Sequence, residues 1–127
     1  MQKFYIPPTK TSFEISFDPG ENLLEIAGIS YPANARDFFK PVEEWVDGYL
    51  ANLNSESVNI SFRVSYFNTS SSKYLYQILA KFSTYHKEKG NVKILWHHMC
   101  EKENVLEAWK ELAFELDIAF EVVTIDE

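Results

Sequence analysis

Residues 58–67, VNISFRVSYF, carry the clearest pattern in the chain. Val58, Ile60, Phe62, Val64 and Tyr66 alternate with Asn59, Ser61, Arg63 and Ser65. A period of two is that of a strand with one apolar and one polar face. The same period recurs in SFEISF (Phe13, Ile15, Phe17), LLEIAGIS (Leu24, Ile26) and NVKILWH (Val92, Ile94, Trp96), and AFEVVTI reads as a closing strand. DPGEN, residues 18–22, joins the first two of these by turn chemistry, so they form a β-hairpin. Elsewhere the period lengthens. Phe38, Val42, Trp45, Val46, Tyr49 and Leu53 fall at helical spacing. So do Leu75, Ile78, Leu79, Phe82 and Tyr85, and then Val105, Leu106, Trp109, Leu112, Ala113 and Leu116. Pro41 either separates the first turn of the first helix or stands early within it. Gly90 suits the end of the second. Residues 1–11 hold two prolines and little pattern, and read as an extended N-terminal arm.

The resulting order is ββαβαβαβ in one α/β domain spanning residues 1–127. Strands alternating with helices imply βαβ crossovers and a mostly parallel sheet. A sheet covered on both faces would have nearly continuous apolar strands. The alternation in 58–67 instead puts the helices mainly on one face and leaves the other more open. Loops at the carboxyl ends of parallel strands are where such folds place ligands and partners. Three junctions qualify: Ser30–Asn34, Asn68–Ser72 and His97–Glu101.

Charge and composition narrow the partners. The 127 residues include 19 Asp and Glu against 12 Lys and Arg, a formal net charge of −7. With no basic cluster, nucleic-acid binding is not expected, and the charge disfavours an anionic membrane surface. No stretch approaches the ~20 apolar residues that would span a bilayer, and the first residues hold no apolar run of signal-peptide length. One cysteine, Cys100, excludes an internal disulfide. These features point to the cytoplasm.

The middle junction raises the chemical question. Asn68 is followed by four hydroxyl residues, Thr69 to Ser72, and then Lys73. Asn, Ser and Thr cap helices by accepting bonds from first-turn amides, but one such residue suffices. A helix N-terminus also favours added negative charge, so a phosphate there would be well placed. A phosphate-binding P-loop is excluded, because the junction has no glycine. Capping and modification both remain open from the residues alone. His97, His98 and Cys100 could ligate a metal or serve an enzyme, but their spacing fits no zinc signature and no second cluster completes it. Glu101 and Glu103 beside Cys100 work against a thiolate. No cofactor is expected, and paired carboxylates such as Glu43 and Glu44 read as solvated faces.

Four stretches in order, GISYPANARDFFKPVEEWVDGYL, FNTSSSKYLYQIL, VKILWHH and VLEAWKELA with IAFEVV, resemble the SiaC-type regulatory phosphoproteins of bacteria. The likeness runs from about Gly28 to Val123. Its most specific parts are the Ser-Tyr-Pro-x-Asn loop at 30–34 and Asn-Thr-Ser-Ser-x-Lys at 68–73. Ala33, the stretch HHMCEKEN and Trp109 depart from the family pattern. The resemblance implies a STAS-like fold, related to anti-sigma factor antagonists, and a non-enzymatic partner switch. A SiaB-like protein kinase would phosphorylate Thr69, and a SiaA-like PP2C-type phosphatase would reverse it. The unmodified form would bind and activate a SiaD-like diguanylate cyclase, raising cyclic di-GMP and favouring biofilm or aggregation. Asn68, Ser70, Ser71, Lys73, Tyr31, Asn34 and His97 would then form the switch edge around Thr69. The alternatives are a metal-binding or enzymatic domain built on His97, His98 and Cys100, or an adaptor that binds without modification.

Overall fold

In the sheet, chain order and spatial order coincide. The computed structural model describes residues 1–99, 103–114, 116 and 120–125. Its elements are β1 (Phe4–Ile6), β2 (Glu14–Asp18), β3 (Leu23–Ser30), α1 (Ala35–Ala51), β4 (Val58–Phe67), α2 (Thr69–Glu88), β5 (Val92–Met99), α3 (Glu103–Phe114) and β6 (Phe120–Ile125). The strands form one six-stranded sheet in the order β1-β2-β3-β4-β5-β6. Each crossover from β3 onward therefore steps one strand in the same direction. With right-handed connections this puts every crossover helix on the same face, as the alternation in β4 implies. Val58, Ile60, Phe62 and Val64 are buried under the helices, whereas Asn59 and Arg63 are exposed on the other side.

The expected mostly parallel sheet holds for three of the five strand pairs. The pairs β3–β4, β4–β5 and β5–β6 are parallel. The pairs β1–β2 and β2–β3 are antiparallel, so the sheet is mixed. The extra strand is β1, which lies within the stretch read as an unpaired arm. Phe4 stacks on Trp45 at 5.9 Å between ring centroids and lies 6.1 Å from Phe17. Tyr5 points outward and its hydroxyl donates to the Glu14 carboxylate at 2.8 Å. Three residues are too short a run to display a period, and Pro7 and Pro8 end the strand at the sheet edge, where prolines are tolerated.

Pro41 lies inside α1, which runs without a break from Ala35 to Ala51. The backbone carbonyl it leaves without an intrahelical donor is that of Asp37, four residues back. Both residues are exposed, so water can take that bond. The face opposite carries Phe39, Val42, Val46 and Tyr49 into the core. Over β4 and β5 the core is aromatic. Trp96 and Trp109 stack at 4.7 Å, and Phe62 lies 4.5 Å from Trp109.

One expectation for β4 reverses at its end. Gly28 pairs with Val64 but Ile29 pairs with Tyr66, so Ser65 is an extra residue in β4. Gly28 takes φ +95° at this shift, a conformation that glycine adopts without steric cost. A bulge changes the parity of everything after it. Tyr66, expected in the core, turns outward and Phe67 turns in.

Gly90 follows the end of α2 for a reason other than left-handed backbone. A Cβ on it would lie 2.5 Å from the Tyr85 hydroxyl oxygen and 2.6 Å from the Glu56 carbonyl oxygen. Those two atoms are themselves joined by a 2.6 Å hydrogen bond from Tyr85. Gly90→Ala must push this clasp apart and is expected to cost about 1–3 kcal/mol. The check is chemical denaturation, which should show a lowered midpoint with an unchanged slope.

Candidate functional site

The parallel direction of β3, β4 and β5 brings their carboxyl ends to one edge of the sheet. Helices α1 and α2 follow β3 and β4 there, and each leaves first-turn N–H groups without intrahelical acceptors. Asn34 caps α1, its side-chain oxygen accepting from the Asp37 N–H at 3.1 Å. Asn68 caps α2, accepting from the Ser71 N–H at 2.9 Å. The Asn68 N–H in turn donates to the Ser30 carbonyl at 3.0 Å, which ties the end of β3 to the start of α2.

This geometry separates the four hydroxyls. Thr69, the first residue of α2, is exposed, as is Ser70. Ser71 is fully buried, its Oγ 2.7 Å from Ser30 Oγ and donating to the Ser30 carbonyl at 3.2 Å. Ser72 turns back and donates to the Thr69 carbonyl at 2.7 Å. Among the Asn, Thr and Ser residues of this junction, Asn68 is the cap. Ser71 is not on the surface at all, which removes it from any contact edge. Lys73 is exposed one turn after Thr69, with its ammonium 5.9 Å from the centre of the Tyr74 ring. Beside them runs a groove of about 620 Å³ between α2 and α3, lined by Phe67, Thr69, Lys73, Tyr76, Ala108 and Glu111.

Chemically, the start of α2 is suited to hold an anion on Thr69. The positive end of the helix dipole and the first-turn amides favour negative charge there by about 0.3–1 kcal/mol, and Lys73 adds a cation. No general base is bonded to the Thr69 hydroxyl among the described residues.

Tyr31 and Asn34 sit on the adjoining loop. Asn34 is occupied with capping. Tyr31 is 45% exposed and meets Tyr66, 46% exposed, edge-to-face at 6.2 Å. Tyr66 is the surface residue that pattern reading misses. The consecutive Tyr66-Phe67 pair, which leaves the parity of the strand end undecided, is the one signal for it.

His97 does not join this edge. β5 continues to Met99, so His97 lies within the strand rather than in the junction after it. Its Nε2 is 3.0 Å from Ser61 Oγ on the open face of the sheet. Burial, and then the nearby Arg63 guanidinium, lower its pKa, with Glu25 opposing them. Cys100 and Glu101 lie outside the described residues. Among the described residues no group of three or more His, Cys, Asp or Glu could hold a metal ion, and no helix is long and apolar enough to cross a membrane.

Two outcomes follow from these contacts. Asn68→Ala should lower stability by about 1 kcal/mol, whereas Asn68→Asp, which keeps the acceptor, should stay close to wild type; thermal or denaturant unfolding measures both. For His97 the folded pKa lies below the ordinary value of 6.5. The unfolded chain therefore binds more protons as pH falls from about that value, and stability falls with it. Denaturation midpoints of wild type and His97→Gln, followed from neutral pH downward, should show a shallower decline in the variant.

The chain matches known proteins over its whole length. The profile of the SiaC family regulatory phosphoproteins covers residues 6–125. An uncharacterized protein of Pseudomonas aeruginosa strain UCBPP-PA14 is 30% identical over 127 residues, all of both chains. Among solved structures, SiaC of Pseudomonas aeruginosa in complex with the diguanylate cyclase SiaD, which it activates, superimposes with a TM-score of 0.88 at 28% identity, covering 96% of this chain and 99% of that one. Apo-SiaC of the same organism gives a TM-score of 0.87 at 29% identity over 97% and 99% of the two chains. The fold is thus a known architecture, and the chain belongs to the SiaC family of regulatory phosphoproteins.

Proposed function

We propose that this chain activates a diguanylate cyclase by binding it, and that phosphorylation of Thr69 switches the binding off. A kinase adds the phosphate and a PP2C-type phosphatase removes it, all in the cytoplasm. The chain itself performs no catalysis in this reading. The observation that carries it is the exposure of Thr69 at the first position of α2, on the edge where the β3 and β4 loops are joined. The likeness to an activator solved in complex with its cyclase supports the activating role.

Phosphorylation adds about −1.5 to −2 charge and three acceptor oxygens. At this helix end the charge is locally favourable, so the fold tolerates it. The effect must then fall on the partner. A surface that packs against Thr69 and the adjoining groove would have to desolvate a dianion, on a protein already at −7. A difference of ~3 kcal/mol between the two forms changes occupancy more than a hundredfold. The loss of an apolar contact together with a desolvated phosphate is of that order.

The experiment titrates a cyclase from the same organism with three forms of the chain: unmodified, phosphorylated at Thr69, and Thr69→Ala. Cyclic di-GMP formation is the readout. The unmodified form and Thr69→Ala should both activate, Thr69→Ala should accept no phosphate, and the phosphorylated form should need about a hundredfold more protein or fail to activate. Equal activation by the phosphorylated form would refute the switch.

A further inference from the structure

The buried hydroxyls beneath Thr69 carry a second role. Ser30 and Ser71 come from elements 41 residues apart, and each is 0% exposed. Their Oγ atoms are 2.7 Å apart, and Ser71 Oγ also donates to the Ser30 carbonyl at 3.2 Å. That same carbonyl accepts the Asn68 N–H. The next residue, Tyr31, donates its N–H to the Thr11 carbonyl at 2.8 Å. The end of β3 is thus bonded on one side to the segment before β2 and on the other to the first turn of α2.

We infer that Ser30 and Ser71 form a positioning pair that sets Thr69 relative to the Tyr31 loop, so that a partner meets both in a fixed geometry. The inference rests on the reading of Thr69 as the phosphorylated residue. Helix caps do not require it, since Asn68 alone supplies the cap acceptor. Two hydroxyls buried at a strand–helix junction instead spend desolvation free energy, which their mutual bond offsets. An apolar pair would fill the space without that cost. What the hydroxyls add is direction: a hydrogen bond fixes both the distance and the angle of the first turn, whereas apolar packing leaves it free to slide. Thr69 is two residues from Ser71 in that turn. A small rotation of the turn about its axis moves the Thr69 hydroxyl while leaving the core below unchanged. Acceptor misplacement of this kind lowers the rate of transfer rather than the affinity of docking.

The test compares Ser30→Ala, Ser71→Ala, the double variant and Thr69→Ala as full chains. Ser71→Ala leaves the Ser30 hydroxyl buried without its partner and should lower the denaturation midpoint. The double variant removes both groups and should recover most of that loss, which separates positioning from stability. In the double variant, phosphate transfer from labelled ATP by the cognate kinase should fall about tenfold or more, in kcat rather than KM. Amide exchange of the Asn68 N–H, whose acceptor is the Ser30 carbonyl, should rise about tenfold while global stability holds. Either quantity at its wild-type value in the double variant overturns the inference. If Thr69→Ala still accepts phosphate at the wild-type rate, the Thr69 reading fails instead, and Asn68 exchange alone decides whether the pair holds the turn.

Discussion

A helix that starts directly after a strand must find acceptors for its first N–H groups at the very edge where partners approach. In this chain three hydrogen bonds hold the start of α2, and the first two of them meet that demand. Asn68 takes the Ser71 N–H, the Ser30 carbonyl takes the Asn68 N–H, and Ser71 returns its hydroxyl to Ser30. Thr69 and, one turn on, Lys73 are exposed to solvent. Fixing the turn and leaving it receptive to an anion are two results of one arrangement. A phosphate added to Thr69 meets a favourable dipole and need not disturb the core.

The rest of the architecture serves that edge. Sequential strand order with right-handed crossovers gathers the helices on one face and the loops after β3 and β4 on one side. The bulge at Ser65 then turns Tyr66 out to meet Tyr31 at the same end of the sheet. Aromatic side chains of this kind, half exposed and held by a neighbour, are typical of protein interfaces. Thr69 and the two tyrosines lie at the same end of the sheet, so under the proposed switch a partner would meet both.

How much of this is legible in the sequence depends on how local the cause is. The apolar alternation of Val58 to Val64 and the helical stripe from Leu75 to Tyr85 identify their elements directly, because burial acts residue by residue. Helices on one face follow from the polar half of β4. The strand β1 escapes notice because three residues show no period and Phe4 packs against a ring far along the chain, that of Trp45. Tyr66 escapes because a single inserted residue reverses the parity, and the cause lies in the partner strand at Gly28. The hydroxyl run is visible as a junction, but its division into exposed Thr69 and buried Ser71 needs the long-range contact with Ser30. His97 is misplaced for a simpler reason: β5 runs two residues further than its alternation shows.

The central claim is that phosphate on Thr69 changes the surface and not the fold. The most direct measurement is the amide NMR spectrum of the chain before and after stoichiometric phosphorylation at Thr69. Shift changes should concentrate in residues 68–73 and at Ser30 and Tyr31, with the amides of β2 and of the buried stretch of β4 unmoved. Large changes spread across the sheet, or loss of signal dispersion, would show that the phosphate acts by unfolding the domain, and would contradict the claim.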